Sequence, residues 1–175
     1  ADYGPEVRAE VKQVREVVSN LHQQLVKWNL VVWTAGNVSQ RLHTADLFVI
    51  KPSGLRYEYL TPSSMVVCDL DGNVVEGSLR PSSDTPTHLE IYKAFEGVGG
   101  VVHTHSTYAT AWAQAGRDIP NIGTTHADYF HDAIPCTPDM TAEEVEGDYE
   151  KQTGCVIVRR FVFHSIGAVW EAGTT

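Results

Sequence analysis

Asp71-Gly72 lies between two short apolar runs, "MVVCDL" (65–70) and "NVVEG" (73–77). An Asp-Gly loop supplies the positive backbone φ that a tight hairpin needs, so the two runs are expected to pair as antiparallel strands. Three further runs have the length and β-branched content of strands: "LVVW" (30–33), "LFVI" (47–50) and the segment 100–105. "CVIVRRF" and "VFHSIGAVW", near the C-terminal end, are read as strands on the same grounds.

Helices are interspersed among these runs. Val7, Val11, Val14, Val18, Leu21, Leu25 and Trp28 step by four and three, which predicts a helix over 5–28 with one apolar stripe. Pro5 suits its first turn. "TPTHLEIYKAF" predicts a helix capped by Thr85 with Pro86 at its first position, and a helix is predicted over 107–115. Thr141 has Glu144 three residues on, the pattern of a capping box, and Gly154 would end that helix. The fold class is therefore α/β: one domain with a central, mostly antiparallel sheet flanked by helices.

The chain has 175 residues, which suits one domain, and 42% of them are apolar. No apolar run approaches the ~18 residues of a membrane span. The net charge of −9, with no basic block, argues against a nucleic-acid or membrane partner. Cys68, Cys136 and Cys155 form no CxxC pair and read as reduced thiols of a cytoplasmic protein.

Four segments carry the polar residues of interest. His103 and His105 are two apart in a strand, so they share a face, about 6–7 Å apart along the chain. They suit a metal ion between them, or a solvated polar face. In "RPSSDTPTH" (80–88), Ser82 and Ser83 precede a helix start, where free N–H groups attract anions, and Asp84 suits metal ligation or work as a base. Gly36-Asn37 and Ser53-Gly54 pair glycine with a small polar residue, which lets backbone N–H groups approach an oxyanion, although each alone reads as a turn. "GTTHADYF" (123–130) gathers an acid, an imidazole and a phenol in a loop. His22, off the apolar stripe, and His43, after a turn, read as surface residues; His88 suits orienting Asp84 or a place on the helix surface.

In this order, "GNVS", "FVIKPSG", "PSSDTPTH", "GGVVHTHS", "GTTHADYF", "IPCT" and "TGCVIV" resemble the class II aldolase superfamily, most nearly its L-ribulose-5-phosphate 4-epimerase branch. The likeness runs from about residue 15 to residue 161. It implies a divalent cation, zinc first, at His103 and His105, with Asp84 as a further ligand or close neighbour. It implies a phosphate site of Gly36, Asn37, Ser53, Gly54, Ser82 and Ser83, and a proton-transfer role for Asp128. The implied reaction interconverts L-ribulose 5-phosphate and D-xylulose 5-phosphate by cleavage and re-formation of the C3–C4 bond. The implied assembly is a homotetramer with active sites between subunits. The superfamily's sugar-phosphate aldolases carry glutamate where this chain has Asp84, which favours the epimerase.

The chain departs from the pattern in two places. The late "HSH" segment of the family reads "FHSIGAVW" here, so that Ile166 stands at the ligand position. A two-residue slip would bring in His164 as the remaining ligand; His126, His131 or water are alternatives. The loop between the last two strands, near 161/162, and the C-terminal helical part with its tyrosine acid have no counterpart in this sequence. Two other functions compete: a related sugar-phosphate aldolase or lyase, and an adducin-like assembly module without metal, which Ile166 favours and His103, His105, Asp84 and Asp128 oppose.

Overall fold

A computed structural model describes residues 3–161 and the backbone of 170–172. The first helix, α1 (Pro5–Lys27), leads to the strands β1 (Asn37–Arg41), β2 (Leu47–Ile50), β3 (Val66–Asp69) and β4 (Val74–Glu76). Then follow α2 (Thr85–Ala94), β5 (Gly100–Thr104), α3 (Thr107–Gln114), the short α4 (Thr124–Ala127) and α5 (Ala142–Glu146), α6 (Tyr149–Phe161) and β6 (Trp170–Ala172). The strand order is β4-β3-β2-β1-β5-β6. The first five strands pair antiparallel, as their sequence implies, and β6 joins β5 in parallel. The Asp71-Gly72 hairpin forms, with Gly72 at φ +88°.

Alternation along the strands separates two cores. Leu47, Val49 and Val67 face Val11, Val14, Val18 and Leu25 of α1. Phe48, Ile50, Val66 and Cys68 face Leu89, Ile91 and Tyr92 of α2 with Ile157 and Phe161 of α6. The sheet is thus the middle of three layers.

Several expectations are corrected. "LVVW" is not a strand: Leu30 and Val31 pack on the core, the chain turns through the Ala35 N–H to Val32 O bond, and Trp33 is exposed at φ +58°. On α1, Leu21 and Trp28 are exposed, and His22 takes the buried place on the stripe. "CVIVRRF" is helical, not extended: it continues α6, and Val156, Ile157 and Phe161 are buried while Arg159 is exposed. Gly154 lies inside α6 rather than at its end. A Cβ there would come within 2.8 Å of Glu90 Cβ and 3.0 Å of Thr87 O, so glycine lets α6 lie against α2. The break in the predicted 141–154 helix falls at Gly147, the C-cap of α5. The Thr141/Glu144 capping box forms as expected.

Candidate active site

A cleft of about 380 Å³ opens at one end of the sheet. Gly36, Asn37, Ser53, Gly54, Ser82, Ser83, Asp84, His103 and His105 all line it. Four segments distant in sequence therefore meet there.

Pairing explains the meeting. The β1–β5 register sets Asn37 opposite His103. Gly36, just before β1, has φ +74°, and a Cβ on it would lie 2.8 Å from the His103 carbonyl oxygen and 2.4 Å from Val31 Cγ1, so only glycine fits. Two backbone bonds, from Ser53 N–H to Arg80 O and from Ser82 N–H to Lys51 O, each 2.9 Å, tie the 51–54 turn to the 80–84 turn.

Asp84 occupies the N-cap position of α2, one residue before the expected Thr85, but its carboxylate does not cap the helix. Its Oδ2 instead meets His103 Nδ1 at 2.8 Å and accepts from Asn37 Nδ2 at 2.5 Å. Asn37 Nδ2 also reaches Ser82 Oγ at 3.2 Å. Burial alone would raise the Asp84 pKa, but the bonds from His103 and Asn37 and the charge of His103 overcome it and hold the group at about 2. The His103 and His105 rings lie side by side, centroids 4.9 Å apart and tilted by 40°. His105 follows the end of β5, where its N–H donates to Leu30 O at 2.7 Å. Burial, then the neighbouring His103, lower its pKa.

His103 engages the carboxylate through Nδ1, so Nε2 is the nitrogen suited to a metal, the usual arrangement of a carboxylate-oriented histidine ligand. The donor set fits one flank of a divalent cation. Among the described residues no set of three His, Cys, Asp or Glu groups gathers at one point. His164 and Ile166 lie outside the described residues, as does the chain just after Phe161. His126 and His131 do not line the cleft. His126 instead contacts the Asp132 carbonyl through Nε2 at 3.1 Å.

Asp128 stands apart from the other expected residues. It follows α4, which makes a helical turn within the expected loop, and is exposed outside the cleft lining. Neither His22 nor His88 is a surface residue: both are fully buried. His22 contacts Val18 O through Nδ1 at 2.7 Å and accepts the Val38 N–H through Nε2 at 2.9 Å, which joins α1 to β1. His88 Nδ1 meets Ser39 Oγ at 2.7 Å, and Ser39 Oγ meets Tyr92 OH at 2.7 Å. His43 is exposed, as expected.

Sequence reading missed Lys51, which lines the cleft although it is only 2% exposed. Its Nζ donates to Thr34 O at 2.8 Å. Burial lowers its pKa, and Asp84 opposes that effect. A cation directly after "LFVI" and before a turn was the available signal. Tyr149, Glu150 and Thr153 reach the cleft from α6, whose second half has the sequence pattern of a strand.

Residues 16–170 match the family described as Class II Aldolase and Adducin N-terminal domain. The chain belongs to this class II aldolase and adducin family. Solved structures agree. An L-fuculose 1-phosphate aldolase is 28% identical, with a TM-score of 0.70 over 81% of this chain and 67% of its own. An L-fuculose-1-phosphate aldolase from Thermus thermophilus has 21% identity and a TM-score of 0.64 over 88% of this chain and 71% of its own. A sugar-phosphate aldolase from Thermotoga maritima has 18% identity and a TM-score of 0.62 over 89% and 78%. The last two bear on the class II aldolase fold alone. No described helix is long and apolar enough to cross a membrane.

Proposed function

We propose that this chain catalyses reversible aldol cleavage of a phosphorylated ketose, and that its reaction is the interconversion of L-ribulose 5-phosphate and D-xylulose 5-phosphate. A divalent cation held by His103 and His105, zinc first, would supply Lewis-acid stabilisation of the negative charge left when a bond next to a carbonyl breaks. The remaining work falls to side chains and backbone of the chain. Gly36, Asn37, Ser53, Gly54, Ser82 and Ser83 would hold the phosphate, which keeps the aldehyde fragment in the cleft while it turns its other face. Asp84 would orient His103 and remain ionised. Asp128 would take the proton from the C4 hydroxyl.

One observation carries the epimerase reading: the Asp84 carboxylate is bound to His103 and Asn37. A group so engaged is suited to support the imidazole pair rather than to act as base at the substrate carbon. The exposure of Asp128 then supports an active site shared between copies of the chain, as in the expected homotetramer, because that acid lies outside the cleft of His103 and His105.

The likeness to L-fuculose 1-phosphate aldolase favours a second reading, net cleavage of a phosphorylated sugar into two fragments. The zinc-loaded protein, given L-ribulose 5-phosphate, is expected to form D-xylulose 5-phosphate in a coupled assay. Zinc-loaded protein that leaves this substrate unchanged but releases aldehyde from L-fuculose 1-phosphate would replace the first reading with the second. Protein that retains no metal and turns over neither would leave the assembly-module reading.

A further inference from the structure

Three successive carbonyl groups on the cleft wall are held by side chains, the last two by a residue behind the wall. Lys51 Nζ donates to Thr34 O at 2.8 Å. The Tyr57 hydroxyl, which has one proton, shares it between Ala35 O at 2.8 Å and Gly36 O at 3.0 Å. The next link is the Val38 N–H, taken by His22 at 2.9 Å. Tyr57 is 4% exposed and does not line the cleft, whereas Ala35, Gly36 and Asn37 do.

Every described peptide bond is trans. In a trans peptide the carbonyl and the following N–H point in opposite directions. Drawing the Ala35 carbonyl onto the phenol therefore turns the Gly36 N–H away from it, while the Asn37 N–H faces His103 in the β1–β5 ladder. The backbone has little room to turn back. A Cβ on Gly36 would meet the His103 carbonyl oxygen at 2.8 Å on one side and the Tyr57 hydroxyl at 3.6 Å on another.

We propose that Tyr57 is a positioning residue for anion recognition, its buried hydroxyl fixing the Ala35–Gly36 peptide so that the Gly36 N–H is presented to a phosphate in the cleft. This rests on the reading of the cleft as a phosphate site. No contact between Tyr57 and the ligand is involved. The phenol acts through the peptide planes, and it sets KM for a phosphorylated substrate rather than the chemical step.

The test is Tyr57→Phe, which keeps the ring in the core and removes only the hydroxyl. Inorganic phosphate is titrated into ¹⁵N-labelled wild type and variant while the Gly36 amide resonance is followed, and zinc affinity is measured in parallel. The expected result is phosphate binding weaker by about tenfold in Y57F, as loss of a buried hydrogen bond implies, with zinc affinity unchanged and unfolding still cooperative. Phosphate affinity equal to that of the wild type would overturn the role of Tyr57. A matching fall in phosphate and zinc affinity would overturn it too, since general loosening would then suffice. Wild-type protein whose Gly36 amide ignores phosphate would overturn this inference, and wild-type protein that binds no phosphate at all would overturn the phosphate reading beneath it as well.

Discussion

Lowering the pH tests the buried imidazole of His22. Its Nδ1 contacts Val18 O and its Nε2 accepts from Val38, so the folded state requires the neutral ring. Burial depresses its pKa from 6.5 to about 4, outweighing the upward effect of the Val18 carbonyl, and the charge of Lys51 adds a smaller downward effect. The unfolded chain takes up this proton near pH 6.5 and the folded chain only near pH 4, so in between the unfolded state binds more protons. Stability from this group is present above about pH 6.5 and is lost as the pH falls towards 4. Between about pH 7 and pH 5 the loss comes to about 2 kcal/mol. Urea unfolding at a series of pH values measures it, with His22→Gln, which keeps a donor and an acceptor but does not titrate, as the reference. His88, depressed to about 3 chiefly by burial, adds a loss of the same sign to both proteins and cancels in the difference. Identical slopes for wild type and H22Q would mean that His22 is solvated in the folded chain and that the α1–β1 link is absent.

Two further predictions concern the elements that carry the site. Asp84→Asn keeps an acceptor for His103 Nδ1 but removes the charge, and is expected to lower zinc affinity by roughly 10–100-fold, measured by competition with a chromophoric chelator; unchanged affinity would show that the carboxylate does not support the metal site. Gly154→Ala forces a methyl against Glu90 Cβ and Thr87 O, and is expected to destabilise the fold by about 1–2 kcal/mol despite the better helix propensity of alanine, as read by urea unfolding.

What the sequence revealed follows from which signals are local. The hairpin at Asp71-Gly72, the strand "LFVI" and the Thr141 capping box are set by neighbouring residues, and each forms where expected. "CVIVRRF" misled because β-branched residues signal burial as much as extension, and burial against α2 decides for a helix here. His22 misled because a polar residue at the edge of an apolar stripe looks solvated until its two partners, one of them on another element, are known. In the site, the short motifs named the cleft residues because each motif is a turn or a strand end, while the sheet register that joins Asn37 to His103 is invisible in any one of them. Lys51 was hidden because its partner, the Thr34 carbonyl, is a backbone group that no sequence pattern marks. The place of Asp128 was equally hidden, since a loop motif carries no information on which cleft it faces.

Zinc titration of metal-free protein with and without His103 measures the central claim most directly. The wild type is expected to bind about one zinc ion per chain, with His103→Ala and His105→Ala each losing most of the affinity and the turnover together, since two imidazoles on one strand end supply the nitrogen donors. Stoichiometric, undiminished zinc binding and full turnover in His103→Ala would contradict it.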